Sequence, residues 1–257
     1  MKLKYLVTVA GLALTFSAQA ADLKELRVGT DPTYEPFTYK TADGQLTGFD
    51  LDLARALCDQ IKRKCVFVET SWDGIIPSLM AKKFDVIMSA MSITPDRQKQ
   101  IDFSDRYAKT PSVLVMKSDF KFNDPASLKG KKIGVMKSTI QEKYSLGELA
   151  PAGAIISAYE SSPQVYLDLQ SGRIDGTVAN IVEVTRGFLE KDGGKSFAKV
   201  GPDLVGDKYF GTGVGIGMRK GQDDLKAELD TALKTLRANG TFKKVNDKYF
   251  KFDVYGQ

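Results

Sequence analysis

The chain has 257 residues and a formal charge of +5, with 37 Lys and Arg interspersed among 32 Asp and Glu. Such a mild balance lacks the concentrated basic face expected of a nucleic-acid binder. There is no histidine and there are only two cysteines, which excludes histidine-dependent triads, imidazole acid–base chemistry and histidine metal sites; with the cysteines paired, a Cys-rich zinc site is excluded too, and neither a cofactor nor a metal is expected.

The elements follow in chain order. Lys2 and Lys4 precede an apolar stretch over residues 5–16, too short to span a bilayer comfortably. Ala18-Gln19-Ala20 has the small-x-small form of a signal-peptidase site. The reading is a signal peptide over 1–20, cleaved after Ala20, and an exported chain starting at Ala21. No cysteine sits at the junction to carry a lipid, and no second long apolar run follows. What remains is long enough for a substantial core and for two domains.

Residues 26–30 read as a strand, followed by the irregular loop Asp31-Pro32-Thr33-Tyr34-Glu35-Pro36. Asp43-Gly44 marks a hairpin turn. Phe49, Leu53, Ala54, Leu57 and Ile61 recur at helical spacing, and 65–69 is a strand. In an exported chain Cys58 and Cys65 read as one disulfide stapling that helix end to the strand; two free thiols are the other reading. Ile75, Ile76, Leu79 and Met80 predict a helix after Trp72, and 84–88 a buried strand. Residues 107–116 look extended and leave this first unit. Residues 127–130 introduce a second, with strands at 133–136, 155–159 and 174–179 and helices at 164–169 and 181–189. Residues 210–218 are strand-like. Leu225, Leu229, Leu233 and Leu236 define a late helix stopped by Asn239-Gly240. The alternation predicts an α/β fold with mainly parallel, doubly wound sheets. If the late helix returns to the first unit, the chain crosses twice between units, which makes a hinge.

The two units echo each other. Leu79-Met80-Ala81-Lys82-Lys83-Phe84-Asp85-Val86 matches Leu169-Gln170-Ser171-Gly172-Arg173-Ile174-Asp175-Gly176 in kind, and Arg27-Val28-Gly29-Thr30 matches Lys132-Ile133-Gly134-Val135. Two similar lobes with a ligand in the crevice between them follow from such a duplication. Gly211, Gly213, Gly215 and Gly217 do not make a nucleotide loop: Ile216 and Met218 stand where the third glycine of G-x-G-x-x-G is needed, and alternating glycines in a strand signal close backbone packing.

The segment Ser89-Ala90-Met91-Ser92-Ile93-Thr94-Pro95-Asp96-Arg97 follows a buried strand. Thr94 suits a helix N-cap and Pro95 the first helical position. Arg97 then lies in the first turn, where a cation is unfavourable unless an anion binds there. Helix N–H groups, the Ser92 hydroxyl and the forked guanidinium suit a carboxylate; a surface Arg97 paired with Asp96 or Asp102 is the alternative. Tyr34 and Trp72 sit beside strand ends and can sandwich a flat or aliphatic group, or be ordinary core. Asp31 and Asp50 lie near the same end of the sheet and can face a cationic side chain; N-capping by Asp50 and loop bonding by Asp31 is the other reading. In the second unit Met136, Lys137-Ser138-Thr139-Ile140-Gln141 and Asn180 stand at strand ends, where open α/β sheets bind ligands.

These residues resemble the periplasmic substrate-binding proteins of polar amino acid ABC transporters, in particular the lysine/arginine/ornithine- and histidine-binding group. The motifs that carry the resemblance are Gly29-Thr30-Asp31-Pro32-Thr33-Tyr34, Gly48-Phe49-Asp50-Leu51-Asp52-Leu53-Ala54, Ile76-Pro77-Ser78-Leu79, Ser92-Ile93-Thr94-Pro95-Asp96-Arg97, Gly172-Arg173-Ile174-Asp175 and Tyr209-Phe210-Gly211-Thr212-Gly213. The resemblance implies a two-lobed, type II flytrap fold with two hinge strands, one lobe from 21–111 with 206–257 and the other from 112–205. It implies a monomeric carrier of a cationic amino acid, delivering to an inner-membrane permease and ATPase. Arg97 and Ser92 would hold the α-carboxylate, with Thr139 helping; Tyr34 and Trp72 would pack on the side chain; Asp31 and Asp50 would face its distal charge. Ser89, Ala90, Met91, Met136, Ser138, Gln141 and Asn180 complete the implied site, and Cys58 and Cys65 match a disulfide of the histidine-binding branch.

Three departures matter. Ala90 replaces a serine of the lysine/arginine/ornithine branch. The segment before Thr139 lacks the usual glycine, and Ile140 stands where a threonine is expected. Asn180 stands where relatives place an aspartate for the α-ammonium; a neutral hydrogen bond is worth about 1 kcal/mol against about 1.5–3 for a charge-assisted one. Asn180 resembles opine-binding relatives, whose ligands carry a second carboxylate on the α-nitrogen, so an octopine-like ligand is the alternative. An enzyme on the same fold, of the cyclohexadienyl-dehydratase kind, would need a positioned acid that the sequence does not single out. A sensor module would share every feature of a carrier.

Overall fold

The computed structural model describes residues 24–256; the expected signal peptide and its cleavage site lie outside them. The first sheet orders its strands β5-β1-β6-β13-β7. Strand β1 (Glu25–Thr30) lies parallel between β5 (Lys64–Glu69) and β6 (Val86–Ile87), with Val28 opposite both Phe67 and Val86. Strand β13 (Gly217–Met218) then runs antiparallel to β6 and to β7 (Asp102–Phe103). The second sheet has the order β10-β9-β11-β8-β12. Here β9 (Lys132–Met136) lies parallel between β10 (Ile155–Tyr159) and β11 (Gly176–Asn180), while β8 (Ser112–Lys117) is antiparallel to β11 and to β12 (Phe197–Leu204). Each sheet is thus mainly parallel, as expected: four strands run one way and one, β13 in the first and β8 in the second, runs against them. A small hairpin sheet of β2 (Thr33–Tyr34), β3 (Thr38–Lys40) and β4 (Leu46–Thr47) flanks the first; Asp43-Gly44 lies between its last two strands.

The apolar patterns explain the layers. In β8, Val113 and Val115 face one core with Val165, Leu169 and Phe188, while Leu114 and Met116 face another with Ile133, Val135 and Leu149. A strand buried on both faces reads as a continuous apolar run. Helix α1 (Phe49–Gln60) places Leu53, Ala54 and Leu57 on the first sheet together with Leu225, Leu229 and Leu233 of α7 (Asp223–Ala238) and Phe242 of α8 (Thr241–Tyr249). The opposite face takes Ile75 and Leu79 of α2 (Ile75–Met80), with Phe84, Ile87 and Ile93. The late helix therefore returns to the first sheet. Cys58 and Cys65 form a disulfide, S–S 2.02 Å, joining α1 to β5. Helices α3 (Pro95–Gln98), α4 (Ile140–Tyr144), α5 (Ser162–Gln170) and α6 (Ile181–Val184) complete the connections.

Between the sheets the chain passes twice, and the two passages lie side by side. Ala108 bridges Val214 in antiparallel fashion, with the Tyr107 N–H donating to the Val214 carbonyl at 2.8 Å. The expected strand over 210–218 is cut to two residues. Gly211 and Gly213 take positive φ, 69° and 138°, and a side chain on Gly211 would meet the Ile93 carbonyl oxygen at 2.0 Å. Close approach explains those glycines.

Candidate functional site

The ends of the parallel strands of both sheets face each other across a cavity of about 510 Å³. From the first lobe its wall takes Asp31, just past β1, Ser89, Ala90 and Ser92, past β6, and also Tyr34, Trp72 and Arg97. From the second lobe come Met136 at the end of β9, Thr139 and Gln141 at α4, and Asn180 at the end of β11. The structure does not bring Asp50, Met91 and Ser138 to the wall.

Asp50 is fully buried, and its carboxylate accepts the Ala90 N–H at 2.5 Å. Ala90 has φ 49°, a left-handed conformation that a non-glycine residue adopts at a cost of about 1–2 kcal/mol. Asp50 therefore fixes a strained turn beneath the cavity instead of meeting a ligand charge. Burial pushes its carboxyl up to about 7, against the pull of the Ala90 N–H and the nearby Tyr107 hydroxyl. Met91 is fully buried in the core with Ile75, Leu79 and Phe84. Ser138, φ 59°, turns its backbone: its N–H donates to Glu142 at 2.6 Å, while its carbonyl faces the first lobe.

Arg97 is the central cation. Thr94 caps α3, accepting the Arg97 N–H at 3.3 Å, and Pro95 opens the helix. The guanidinium lies over the Trp72 ring, 5.1 Å from its centroid, and Nη1 donates to the Ser92 carbonyl at 3.0 Å. Asp96 pairs with Lys99 and Lys143, and Asp102 with Lys220. Among the described residues no carboxylate pairs with Arg97. Desolvation lowers its pKa to about 10. Asp31, 4 % exposed, offers the opposite charge: its carboxylate accepts the Thr33 hydroxyl at 2.6 Å and the Thr33 N–H at 3.0 Å, and burial raises its pKa.

The second lobe contributes neutral groups. The Thr139 hydroxyl caps α4 by accepting the Glu142 N–H at 3.1 Å and donates to the Met136 carbonyl at 2.6 Å. Gln141 Nε2 donates to Ser112 at 2.9 Å. Asn180 caps α6: its Oδ1 accepts the Val182 N–H at 3.0 Å, and its Nδ2 donates to Thr110 at 2.6 Å. The lobes touch at the rim. Trp72 Nε1 and Arg97 Nη2 both donate to the Ser138 carbonyl, at 3.1 and 3.4 Å. Second-lobe lysines meet first-lobe acids: Lys137 with Asp73 at 2.8 Å, Lys191 with Glu35 at 3.0 Å, and Lys143 with Asp96.

Sequence reasoning missed the hinge side of the cavity, where Lys109, Thr110, Asp203, Asp207 and Phe210 line the wall. Lys109, Thr110, Asp207 and Phe210 lie on irregular passages without periodicity, and Asp203 near the end of the edge strand β12. The signal that could have found them is the expectation of two crossings, since whatever crosses a cleft must also floor it.

The arrangement suits a zwitterion with an additional charge, held between the buried Arg97 and Asp31, several neutral donors, and the hinge-side Lys109, Asp203 and Asp207. The chain is 46% identical over 256 residues to the L-arginine-binding protein of Pseudomonas aeruginosa, covering 99% of this chain and 98% of that one. It is 44% identical over 259 residues to the histidine-binding periplasmic protein of Salmonella typhimurium, covering 99% and 100%. Its fold matches a Salmonella typhimurium periplasmic binding protein described as highly arginine-specific, with a TM-score of 0.82 at 31% identity over 89% of this chain and 100% of that one. Residues 26–252 match the family model of bacterial extracellular solute-binding proteins, family 3. With that match spanning nearly the whole chain, and the two-lobed cleft already in view, the chain belongs to the family 3 bacterial extracellular solute-binding proteins.

Proposed function

We propose that this protein is a periplasmic carrier that captures a cationic amino acid of the arginine, ornithine, lysine or histidine type and hands it to an ABC permease. The observation that carries this reading is Arg97, stacked on Trp72 in the cleft wall with no carboxylate partner among the described residues and with Asp31 on the same wall. Arg97 takes the α-carboxylate, as a guanidinium fork does best; Tyr34 and Trp72 pack on the side chain; Asp31 attracts its distal charge. Ser89, Ser92, Met136, Thr139 and Gln141 shape the remainder. The lobes extend over 21–111 with 206–257 and over 112–205, and the chain works as a monomer exported by cleavage after Ala20. Ligand contacts made only when both lobes meet favour the closed form.

Asn180 supports a second reading. Its oxygen is engaged by the α6 cap, and it offers no negative charge to an α-ammonium. Lys109, next to Thr110, lines the same cavity. An opine such as octopine, with a second carboxylate on the α-nitrogen, fits these two residues. Calorimetry of the ligand-stripped protein with arginine, ornithine, lysine, histidine and octopine tests both readings. Tight binding of a free cationic amino acid is the expected result; octopine binding with weak arginine binding would replace it by the second reading, and binding of none would overturn both.

A further inference from the structure

Beside the main cavity lies a space of about 10 Å³, room for a single water. Four residues of the main cavity wall, Tyr34, Met136, Thr139 and Gln141, line it together with Glu183. Glu183 is 2 % exposed. Its carboxylate accepts the Tyr166 hydroxyl at 2.5 Å. Among the described residues it has no ion-pair partner, and the charges that reach it, Glu35 and Lys191, are bound to each other at 3.0 Å. The groups facing it are Tyr166 and Ser162 from α5 and Tyr34 from β2. A buried acid is costly without a cation, and a bond to one tyrosine could be kept by a glutamine. Asp50, meanwhile, is committed to Ala90, so Asp31 is the buried acid of the first lobe left for a distal charge.

We propose that Glu183 is a specificity-determining residue that recognises the distal cation of the bound amino acid across the water-sized space. This inference rests on the cationic-ligand reading above. Glu183 would complete from the second lobe what Asp31 begins from the first, so that the distal charge is paired fully only after closure. Burial pushes the Glu183 carboxyl up to about 8. A cation arriving nearby favours the ionised form, so arginine binding near neutral pH should release a proton.

The test compares arginine with citrulline, its uncharged near-isostere, by calorimetry in buffers of different ionisation enthalpy, which counts protons. The unmodified protein should prefer arginine and release more protons with arginine than with citrulline. Glu183→Gln should lose that extra release and about tenfold of the arginine preference, with citrulline affinity unchanged. An unaltered arginine-to-citrulline ratio and proton count in Glu183→Gln would overturn the proposal. Should that variant fail to fold, Tyr166→Phe serves instead: without the hydroxyl that favours the ionised acid, the pH at which arginine releases most proton should move upwards, and an unchanged pH dependence of the release would overturn the proposal equally. Failure of the unmodified protein to bind either ligand would instead strike the functional reading itself.

Discussion

The two lobes are built alike and used differently. In each, a helix ends in a left-handed residue, Lys82 with φ 60° in the first and Gly172 with φ 74° in the second. In each, the aspartate that follows accepts a backbone N–H from the neighbouring strand: Asp85 from Arg27 at 3.0 Å, Asp175 from Lys132 at 2.7 Å. The corresponding glycines, Gly29 and Gly134, admit Phe84 and Ile174 against the backbone. A left-handed residue stands near the cleft in each lobe, Ala90 and Ser138, its N–H held by a carboxylate. The contents of the cleft then diverge: the first lobe brings Arg97 and Asp31, the second Thr139, Gln141 and Asn180. Shared scaffold positions serve the fold; the specificity lies in the residues set on it. The division suits capture followed by closure, with charge in the lobe that binds first.

The two lobes should differ most when the first one's charge is removed. Arg97→Ala should cost about 2–5 kcal/mol of ligand affinity, because it leaves a carboxylate unpaired in the cleft, while Thr139→Ala should cost about 1 kcal/mol. Equal losses in calorimetry would show that the lobes share the task evenly.

The first lobe buries Asp31 and Asp50 and the second Glu183; of these, Asp50 is pushed to about 7 and Glu183 to about 8. Both lie above their unfolded values, so the folded state binds these protons more tightly. Their contribution to stability is complete below about pH 4 and is lost as pH rises towards neutrality and slightly beyond. Asp50→Asn should flatten the decline by on the order of 2–4 kcal/mol between about pH 4 and about pH 7, leaving the part due to Glu183. Denaturant unfolding at several pH values measures it; an unchanged slope would remove Asp50 as a titrating group.

The paired glycines separate rigid from adaptable packing. A methyl at Gly29 would sit 2.4 Å from the Phe84 ring, and one at Gly134 2.5 Å from the terminal carbon of Ile174. A ring wedged in the core yields less than the end of an isoleucine, so Gly29→Ala should destabilise by about 1–3 kcal/mol and Gly134→Ala by less. The reverse order in thermal unfolding would contradict the shared-scaffold account. The smallest effect belongs to the rim. Exposed pairs such as Lys137–Asp73 and Lys191–Glu35 are worth about 0–1 kcal/mol each, so raising ionic strength from about 0.05 to about 0.5 M should weaken ligand binding only a few-fold.

Much of this was legible in the sequence. The echo between 79–86 and 169–176 and the Thr94-Pro95 helix start are local signals, and local chemistry produced them. The short strands β2, inside a segment read as irregular loop, and β7 escaped, and so did two longer elements. Strand β12 contains Gly201-Pro202, which demotes a run to non-strand or edge; it is indeed the edge strand of its sheet. Helix α8 follows the left-handed Gly240 that ends the preceding helix and is mostly polar, with Phe242 and Val245 as its buried apolar contacts. Asp50 was misplaced because a motif fixes where a residue stands in the chain, while the direction of its carboxylate is set by a strained turn 40 residues away. The hinge-side wall and Glu183 depend on how the lobes meet, which no local pattern encodes.

On this reading, ligand draws the two lobes together around Arg97. Trp72 is the chain's sole tryptophan, and its indole N–H reaches across the cleft to Ser138. Tryptophan fluorescence during titration of the ligand-stripped protein with arginine should therefore change and saturate at one ligand per chain, and the change should vanish in Arg97→Ala. A flat signal in the unmodified protein, alongside calorimetric proof that arginine binds, would contradict the claim.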